Sequence, residues 1–173
     1  KEAEPGSVAI LLFKNLSNDD EQEYFCEGFS EDLLSMLSRY NKLVVISSHA
    51  SFAYKEKKKT FKEIGEDLGV KYLIHGSVRK LGKRMRINAN LVSTKNEVSI
   101  WSDNFDLSVD EVFDVQDKIA EEMVATIVGR VEADSLNILN IKRPENMDAY
   151  DLVLKGLDYA RKGNIIKENT ENA

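Results

Sequence analysis

The stretch that most constrains the fold is SVAILLF at residues 7–13, which is apolar without interruption from Val8 to Phe13. It is bounded by Gly6 on one side and by Lys14-Asn15 on the other. A continuous apolar run of this length is typical of a strand that is buried on both faces. The sequence therefore predicts a sheet on which helices pack.

Helix and strand signals alternate in the first half of the chain. SNDDEQ at 17–22 brings capping side chains and negative charge to a helix start. The apolar residues that follow at helical spacing are Phe25, Phe29, Leu33, Leu37 and Tyr40. A second buried strand is predicted at 43–47. A short helix is predicted after Thr60, which can form a capping box with Glu63.

The second half of the chain predicts a meander followed by a helix. Three strand-like runs lie at 70–80, 84–93 and 97–106, and turn residues separate them. A second capping box, Ser108 with Glu111, begins a helix that we expect to end near Val131. The predicted fold class is α/β, a mixed sheet with packed helices in the order β-α-β-α-β-β-β-α, plus a C-terminal helix.

Five positive charges fall between Arg79 and Arg86, in a segment that is predicted to form a hairpin. If Leu81-Gly82 is the turn, one face of the hairpin is apolar, with the pairs Val78–Met85, Gly76–Ile87, Ile74–Ala89 and Tyr72–Leu91. The basic residues then lie at the turn or on the opposite face. This pattern favours a solvated sheet face over a phosphate or nucleic-acid grip, and the net charge of −6 also argues against duplex binding.

Continuing the same register into the next strand predicts a candidate interaction face. It consists of Trp101, Phe105, Arg79, Arg86 and Asn88. Large aromatics and arginine on an uncovered face often mark a contact surface. The competing interpretation is that the helix at 108–131, or the chain beyond it, covers the two aromatics internally.

Signals for catalysis, metal binding and cofactor binding are absent from the sequence. Two isolated histidines and one cysteine do not give a recognised metal spacing, and no Gly-rich phosphate loop is present. We expect no catalytic, metal-binding or cofactor-binding residues. A small-ligand crevice at the strand ends remains an alternative, and its candidate residues are Asn15, Ser47, Ser48 and His49.

Five blocks of the sequence carry a family resemblance. They are AILLFKNLSNDDEQEYFCEGFSEDLLSMLSRY (9–40), VISSHASFAYK (45–55), IGEDLGVKYLIHGSVRK (64–80), RMRINANLVST (84–94) and IWSDNFDLSVDEVFDVQDKIA (100–120). In order and spacing they resemble the TolB amino-terminal-like domain. The resemblance implies a non-catalytic α/β domain of the kind that is joined to class III nucleotide cyclases or to membrane-bound winged-helix regulators.

The resemblance also sets the expected domain organisation. We expect a linker at 1–7, the TolB-like domain at 8–131, a second linker at 132–143, and the first helix of a truncated tetratricopeptide repeat array at 144–173. RPENMDAYDLVLKGLDYARKGN at 143–164 has a proline near a helix start and repeat-like spacing.

The function predicted from the sequence is therefore regulatory. We expect a protein-interaction domain from a larger bacterial signalling protein, with a protein partner or self-association and without nucleic acid as a ligand. The alternative is a small-ligand sensor. No apolar run is long enough to span a bilayer, so we expect no membrane insertion by this chain. A membrane-anchored parent, with this domain on either its cytoplasmic or its extracytoplasmic side, is compatible with these features.

Overall fold

The computed structural model of the chain describes residues 2–141. The predictions for 142–143 and for the repeat at 144–173 lie outside these residues. Within them the chain forms a mixed six-stranded sheet. Its strands are β1 (Ser7–Ile10), β2 (Lys14–Asn15), β3 (Val44–Val45), β4 (Tyr72–Leu81), β5 (Arg84–Ser93) and β6 (Ser99–Ser108). The predicted α/β fold class is confirmed.

The sheet has a parallel half and an antiparallel half. The strand order is β3-β1-β4-β5-β6, and β2 continues the line of β1 beside β4. β1 is parallel to β3 and β4, whereas β4, β5 and β6 form an antiparallel meander. β6 is therefore one edge of the sheet, and β3 is the other.

Four α-helices are connected to this sheet within the described residues. They are α1 (Glu21–Ser38), α2 (Ser48–Ser51), α3 (Phe61–Leu68) and α4 (Val112–Ile141), and short 3-10 turns follow α2 and precede α4. The predicted capping box of Ser108 and Glu111 is confirmed, since the two residues cap each other. At Thr60 one of the two bonds of a capping box occurs: Glu63 N–H donates to Thr60 Oγ1. α3 ends at Gly69 with φ 68°, a conformation that glycine adopts without steric cost.

Several boundaries differ from the sequence prediction. β1 ends at Ile10, before the end of the first apolar run, and the chain pairs with the sheet again at β2, beyond that run. The strand predicted at 43–47 shortens to an edge strand in which Val44 is exposed. α2 and its 3-10 turn were not predicted. α4 was expected to end near Val131 but continues to Ile141. Apolar composition alone does not specify how far hydrogen bonding continues along a segment.

The main core lies between one face of the sheet and helices α1 and α4. It contains Phe13, Ile74, Ile87 and Leu91 from the sheet side, with Leu33 and Leu37 of α1 and Ile119, Met123 and Ile127 of α4. All of these side chains are buried. This layer places both long helices on the same side of the sheet.

The opposite face of the sheet is covered over only part of its area. A smaller cluster there contains Ala9, Leu73 and Val92, which pack with Ile64 of α3 and with Val70. Phe61 of α3 stacks on His75 of β4 at a ring-centroid distance of 4.7 Å. Beyond His75, towards the β4–β5 turn and across β6, no helix of the described residues packs on this face.

The helices and strands up to Val131 form one compact unit. Among residues 2–141, no helix combines the length and the apolar character that crossing a bilayer requires.

Candidate interaction surface

The register between β5 and β6 determines where the predicted interaction face lies. Val92 lies opposite Ser99, but Leu91 lies opposite Trp101, so Ile100 is an extra residue in a β-bulge. One extra residue moves every later side chain of the strand to the other face. The prediction that Trp101 and Phe105 share a face with Arg79, Arg86 and Asn88 is therefore wrong.

Trp101 and Phe105 lie on the helix-covered face, against α4. Trp101 Nε1 donates a hydrogen bond to Glu122 Oε2 at 3.2 Å. The Lys118 ammonium lies 5.6 Å from the centre of the Phe105 ring. Both aromatic side chains are half-buried and pack against the main core. The competing interpretation, cover by the helix after residue 108, describes their environment.

The other three predicted residues remain together on the opposite face. The β4–β5 turn is Gly82-Lys83, because Leu81 pairs with Arg84, and Gly82 has φ 61°. The observed pairing is two residues away from the predicted one, and a shift of two leaves each side chain on its face. Arg79 lies opposite Arg86, and Asn88 lies opposite Ser77.

These residues belong to a larger surface, which we call the open face. It consists of the side chains of β4, β5 and β6 that point away from α1 and α4 and lie between the cover of α3 and the turn-end residues Leu81, Arg84 and Ser108: Ser77, Arg79, Arg86, Asn88, Asn90, Ser102, Asn104 and Asp106. Polar side chains on one face of a meander and apolar ones on the other are the pattern of a sheet that is packed on one side only.

The amides of the open face form a hydrogen-bonded ladder across two strands. Ser102 Oγ donates to Asn90 Oδ1 at 2.7 Å, and Asn90 Nδ2 donates to Asn88 Oδ1 at 2.6 Å. Asn88 Nδ2 donates in turn to Asn104 Oδ1 at 2.6 Å. Each member restricts the rotamer of the next, so the ladder presents a pre-ordered polar surface.

The charge on the open face is mainly positive. Arg86 Nε donates to Asp106 Oδ1 at 2.9 Å, and this hydrogen bond lowers the pKa of Asp106 and raises that of Arg86. Arg79 is exposed and has no ion-pair partner among residues 2–141. Lys14 pairs with Ser77 and therefore adds a further ammonium beside this surface.

The four residues of the predicted ligand crevice do not form a connected group. Asn15 uses its side chain within its own loop, where Nδ2 donates to the Asp19 carbonyl at 3.0 Å and Oδ1 accepts from Ser17 N–H at 2.9 Å. Ser47 and His49 are exposed and Ser48 is half-buried at the start of α2. No hydrogen bond joins Asn15 to these three within the described residues. Their role in ligand binding stays a prediction.

One cavity lies elsewhere, between the end of α1 and the first half of α4. Its volume is about 190 Å³, and its lining residues are Met36, Arg39, Tyr40, Asp117, Ala120 and Glu121. Small-molecule sites usually enclose roughly 300–1,000 Å³. None of the predicted crevice residues contributes to this cavity.

The titratable side chains of the described residues include no metal cluster and no activated cysteine. Among residues 2–141, no group of three or more His, Cys, Asp or Glu side chains could hold a metal ion. Burial raises the pKa of the Cys26 thiol to about 11, so the thiol is unreactive at neutral pH. Burial, with a smaller contribution from Lys14, lowers the pKa of His75.

A family of regulatory domains matches most of this sheet and its helices. The model of the second domain of HilA/YgeH-like transcriptional regulators matches residues 4–122, which is more than half of the chain. The chain belongs to this family. It is a domain of regulatory proteins, and the matched residues contain the sheet, α1, α3 and the first part of α4.

One curated relative of this chain is named as a cyclase and not as a transcriptional regulator. The chain is 34% identical over 149 residues to a putative adenylate cyclase 3 of Rhizobium meliloti (strain 1021). The match covers 86% of this chain but only 25% of the relative. The chain thus corresponds to about a quarter of that protein.

Two solved structures share the fold. TolB from Acinetobacter baumannii superposes with a TM-score of 0.54 at 11% identity, covering 74% of this chain and 29% of TolB. Lipoprotein GNA1162 from Neisseria meningitidis gives a TM-score of 0.52 at 14% identity, covering 69% of this chain and 97% of the lipoprotein. The TolB resemblance is therefore supported as a likeness of fold. The repeat predicted at 144–173 lies outside the residues that the family model matches and stays a prediction.

Proposed function

We propose that this chain is a non-catalytic regulatory domain that binds a partner protein through the open face. The observation that carries the proposal is the pre-ordered polar ladder on a sheet face that no described helix covers. The family of the chain and the name of its relative support a place in a larger signalling protein. In such a protein, a transcriptional or cyclase output would be carried by other domains.

The chemistry of the open face suits protein recognition. Arg79 and the Arg86–Asp106 pair offer guanidinium donors, and arginine is enriched at interface hot spots. Asn88 and Asn104 are already held by hydrogen bonds. Their side chains therefore lose less conformational entropy when a partner binds. The surface is polar, and interfaces that form and dissociate are more polar than obligate ones.

The small-ligand alternative has less support. The cavity between α1 and α4 is smaller than the usual range for ligands, and the predicted crevice residues do not converge. No other observation favours a sensor.

Site-specific photo-crosslinking tests the proposal. A photoreactive residue is placed at Ser77 in the middle of the open face, and a matched one is placed at Glu31, which is exposed on α1 on the helix side. We expect a protein adduct from Ser77 and none from Glu31, and we expect Arg79→Glu to abolish the Ser77 adduct without lowering the melting temperature.

Two results would contradict this function. Equal adducts from both positions, unaffected by Arg79→Glu, would show that the open face is not the contact surface. Steady turnover of ATP or GTP by the pure chain, abolished by one substitution, would show that the domain is catalytic.

A further inference from the structure

The two edges of the sheet are protected to different degrees. β3 is an edge of only two residues, Val44–Val45, whereas β6 is an edge of ten residues, Ser99–Ser108. Native proteins usually block long edges with charged side chains, proline, β-bulges or very short strands. The bulge of β6 lies near its start, at Ile100, so the edge from Trp101 to Ser108 is regular. Its charged side chains are Asp103 and Asp106, and Asp106 is already paired with Arg86 of β5. The sequence of β6, SIWSDNFDLS, contains neither lysine nor proline. β6 is thus the edge that is able to accept another strand.

The direction of the backbone groups in β6 follows from two hydrogen bonds. Asn104 N–H donates to Asp103 Oδ1 at 2.8 Å, and Ser108 N–H is directed towards Glu111 Oε1 at 3.5 Å. Neither group bonds to β5, and alternate residues of an edge strand point the same way. The N–H groups of Ser102 and Asp106 therefore also point outwards, and within residues 2–141 no side chain or loop carbonyl accepts from them.

We propose that β6 pairs antiparallel with β6 of a second copy of this chain, about a twofold axis at Asn104. This inference concerns backbone pairing at the sheet edge, so it goes beyond the proposed function and does not depend on it. The twofold places Asn104 opposite Asn104, and Ser102 opposite Asp106, so no like charges lie directly opposite each other. An axis at Asp103 would give similar overlap but would oppose two carboxylates, and like charges directly opposite destabilise a strand pair.

In this register, the side chains on the helix-covered side of β6 in one copy are complementary to those of the other copy. Trp101 of one copy lies opposite Leu107 of the other, and the parts of Trp101 and Phe105 that remain exposed in the single chain become covered. Lys118 and Glu122 flank these aromatics on α4. The twofold brings Lys118 of one copy towards Glu122 of the other, so opposite charges meet along the new interface.

Sedimentation of the full chain with three variants tests the pairing. We expect a concentration-dependent dimer. Asn104→Lys places two ammonium groups at the axis and should weaken the dimer about tenfold. Ser35→Lys introduces the same charge on the exposed side of α1, away from the edge, and should leave the dimer unchanged. Asp103→Ala removes the acceptor that competes for Asn104 N–H and should tighten the dimer.

Disulfide trapping tests the register. Directly opposed residues in a hydrogen-bonded antiparallel pair have Cα atoms about 5.5 Å apart, which a disulfide can bridge. The one native cysteine, Cys26, is buried and does not interfere. Under mild oxidation, Asn104→Cys should give a covalent dimer, and Asn88→Cys should not. A chain that stays monomeric at high micromolar concentration, or equal crosslinking at both positions, would overturn the inference.

Discussion

At the scale of single residues, Trp101 connects the edge of the sheet to α4. Its indole packs against the main core while its N–H reaches the Glu122 carboxylate. A tryptophan in this position contributes apolar burial and one hydrogen bond to a charged acceptor. It therefore contributes to the stability of the single chain, whether or not it also meets a second copy.

We predict that Trp101→Ala lowers the free energy of unfolding by about 2–3 kcal/mol, less than a fully buried tryptophan would lose. Trp101→Phe keeps the ring packing and loses the hydrogen bond, so it should cost about 1 kcal/mol. Urea denaturation of the chain under monomeric conditions measures both. A Trp101→Ala variant as stable as the parent would show that α4 does not cover this residue.

At the scale of elements, α3 is the helix that covers the second face of the sheet. Its start is fixed by the Thr60 cap, and Phe61, the first helical residue, stacks on His75 of β4. The pKa of His75 is lowered because burial, and then the nearby Lys14, disfavour the imidazolium. Protonation of this histidine therefore acts against the docking of α3.

The sign of the pH effect follows from proton linkage. The folded pKa of His75 lies below the ordinary value of 6.5, so in that window the unfolded chain binds more protons. We predict that the contribution of His75 to stability is full above about pH 7 and is lost as pH falls through its folded pKa. Urea midpoints measured across this range should fall less steeply for His75→Gln than for the parent.

His49→Gln serves as the control, because it removes an exposed imidazole from a different segment. If the urea midpoints of His75→Gln and of the parent chain fall equally steeply with pH, protonation of His75 does not destabilise the folded chain.

The elements also show what the sequence could predict. Apolar runs, helical spacing and capping boxes predicted the fold class and the element order, because these signals act over a few neighbouring residues. The β4–β5 pairing was displaced by two residues, which did not change the faces. The predicted β5–β6 register is correct next to the turn, where Val92 pairs with Ser99. Beyond Ile100 it is displaced by one residue, so the β6 side chains lie on the opposite face from the one predicted.

A bulge of one residue has no local sequence signal of this kind. Ile100 could continue an unbroken strand equally well, and the tertiary packing of Trp101 and Leu107 under α4 is what selects the bulged register. The sequence therefore correctly grouped Arg79, Arg86 and Asn88 but missed Asn90, Ser102, Asn104 and Asp106. The sequence shows that polar and apolar residues alternate along β6. It does not show which of the two sets faces the helices.

At the scale of the whole molecule, the exposed charges are unevenly distributed. The carboxylates exposed on the helix side are Glu21, Glu27, Glu31 and Asp32 of α1 and Asp114, Asp117 and Glu121 of α4. Positive charges cluster in two segments, the lysine-rich stretch at 55–62 and the β4–β5 hairpin between Arg79 and Arg86. One of the hairpin charges, Arg86, is already paired with Asp106. With a net charge of −6, the molecule repels polyanions at long range.

We predict that this chain does not bind duplex DNA at physiological salt, although its family consists of domains from transcriptional regulators. Affinity for duplex DNA depends on the number of phosphates that basic residues neutralise, and exposed charges are screened over about 8 Å at ~150 mM salt. The unpaired positive charges of the hairpin are few, and the carboxylates of the helix side oppose them. A gel-shift titration at that salt should show no complex, and Arg79→Glu combined with Arg84→Glu should change nothing. Micromolar binding that this double substitution abolishes would reassign the hairpin as a nucleic-acid contact, because only a direct phosphate interaction would respond to both charges.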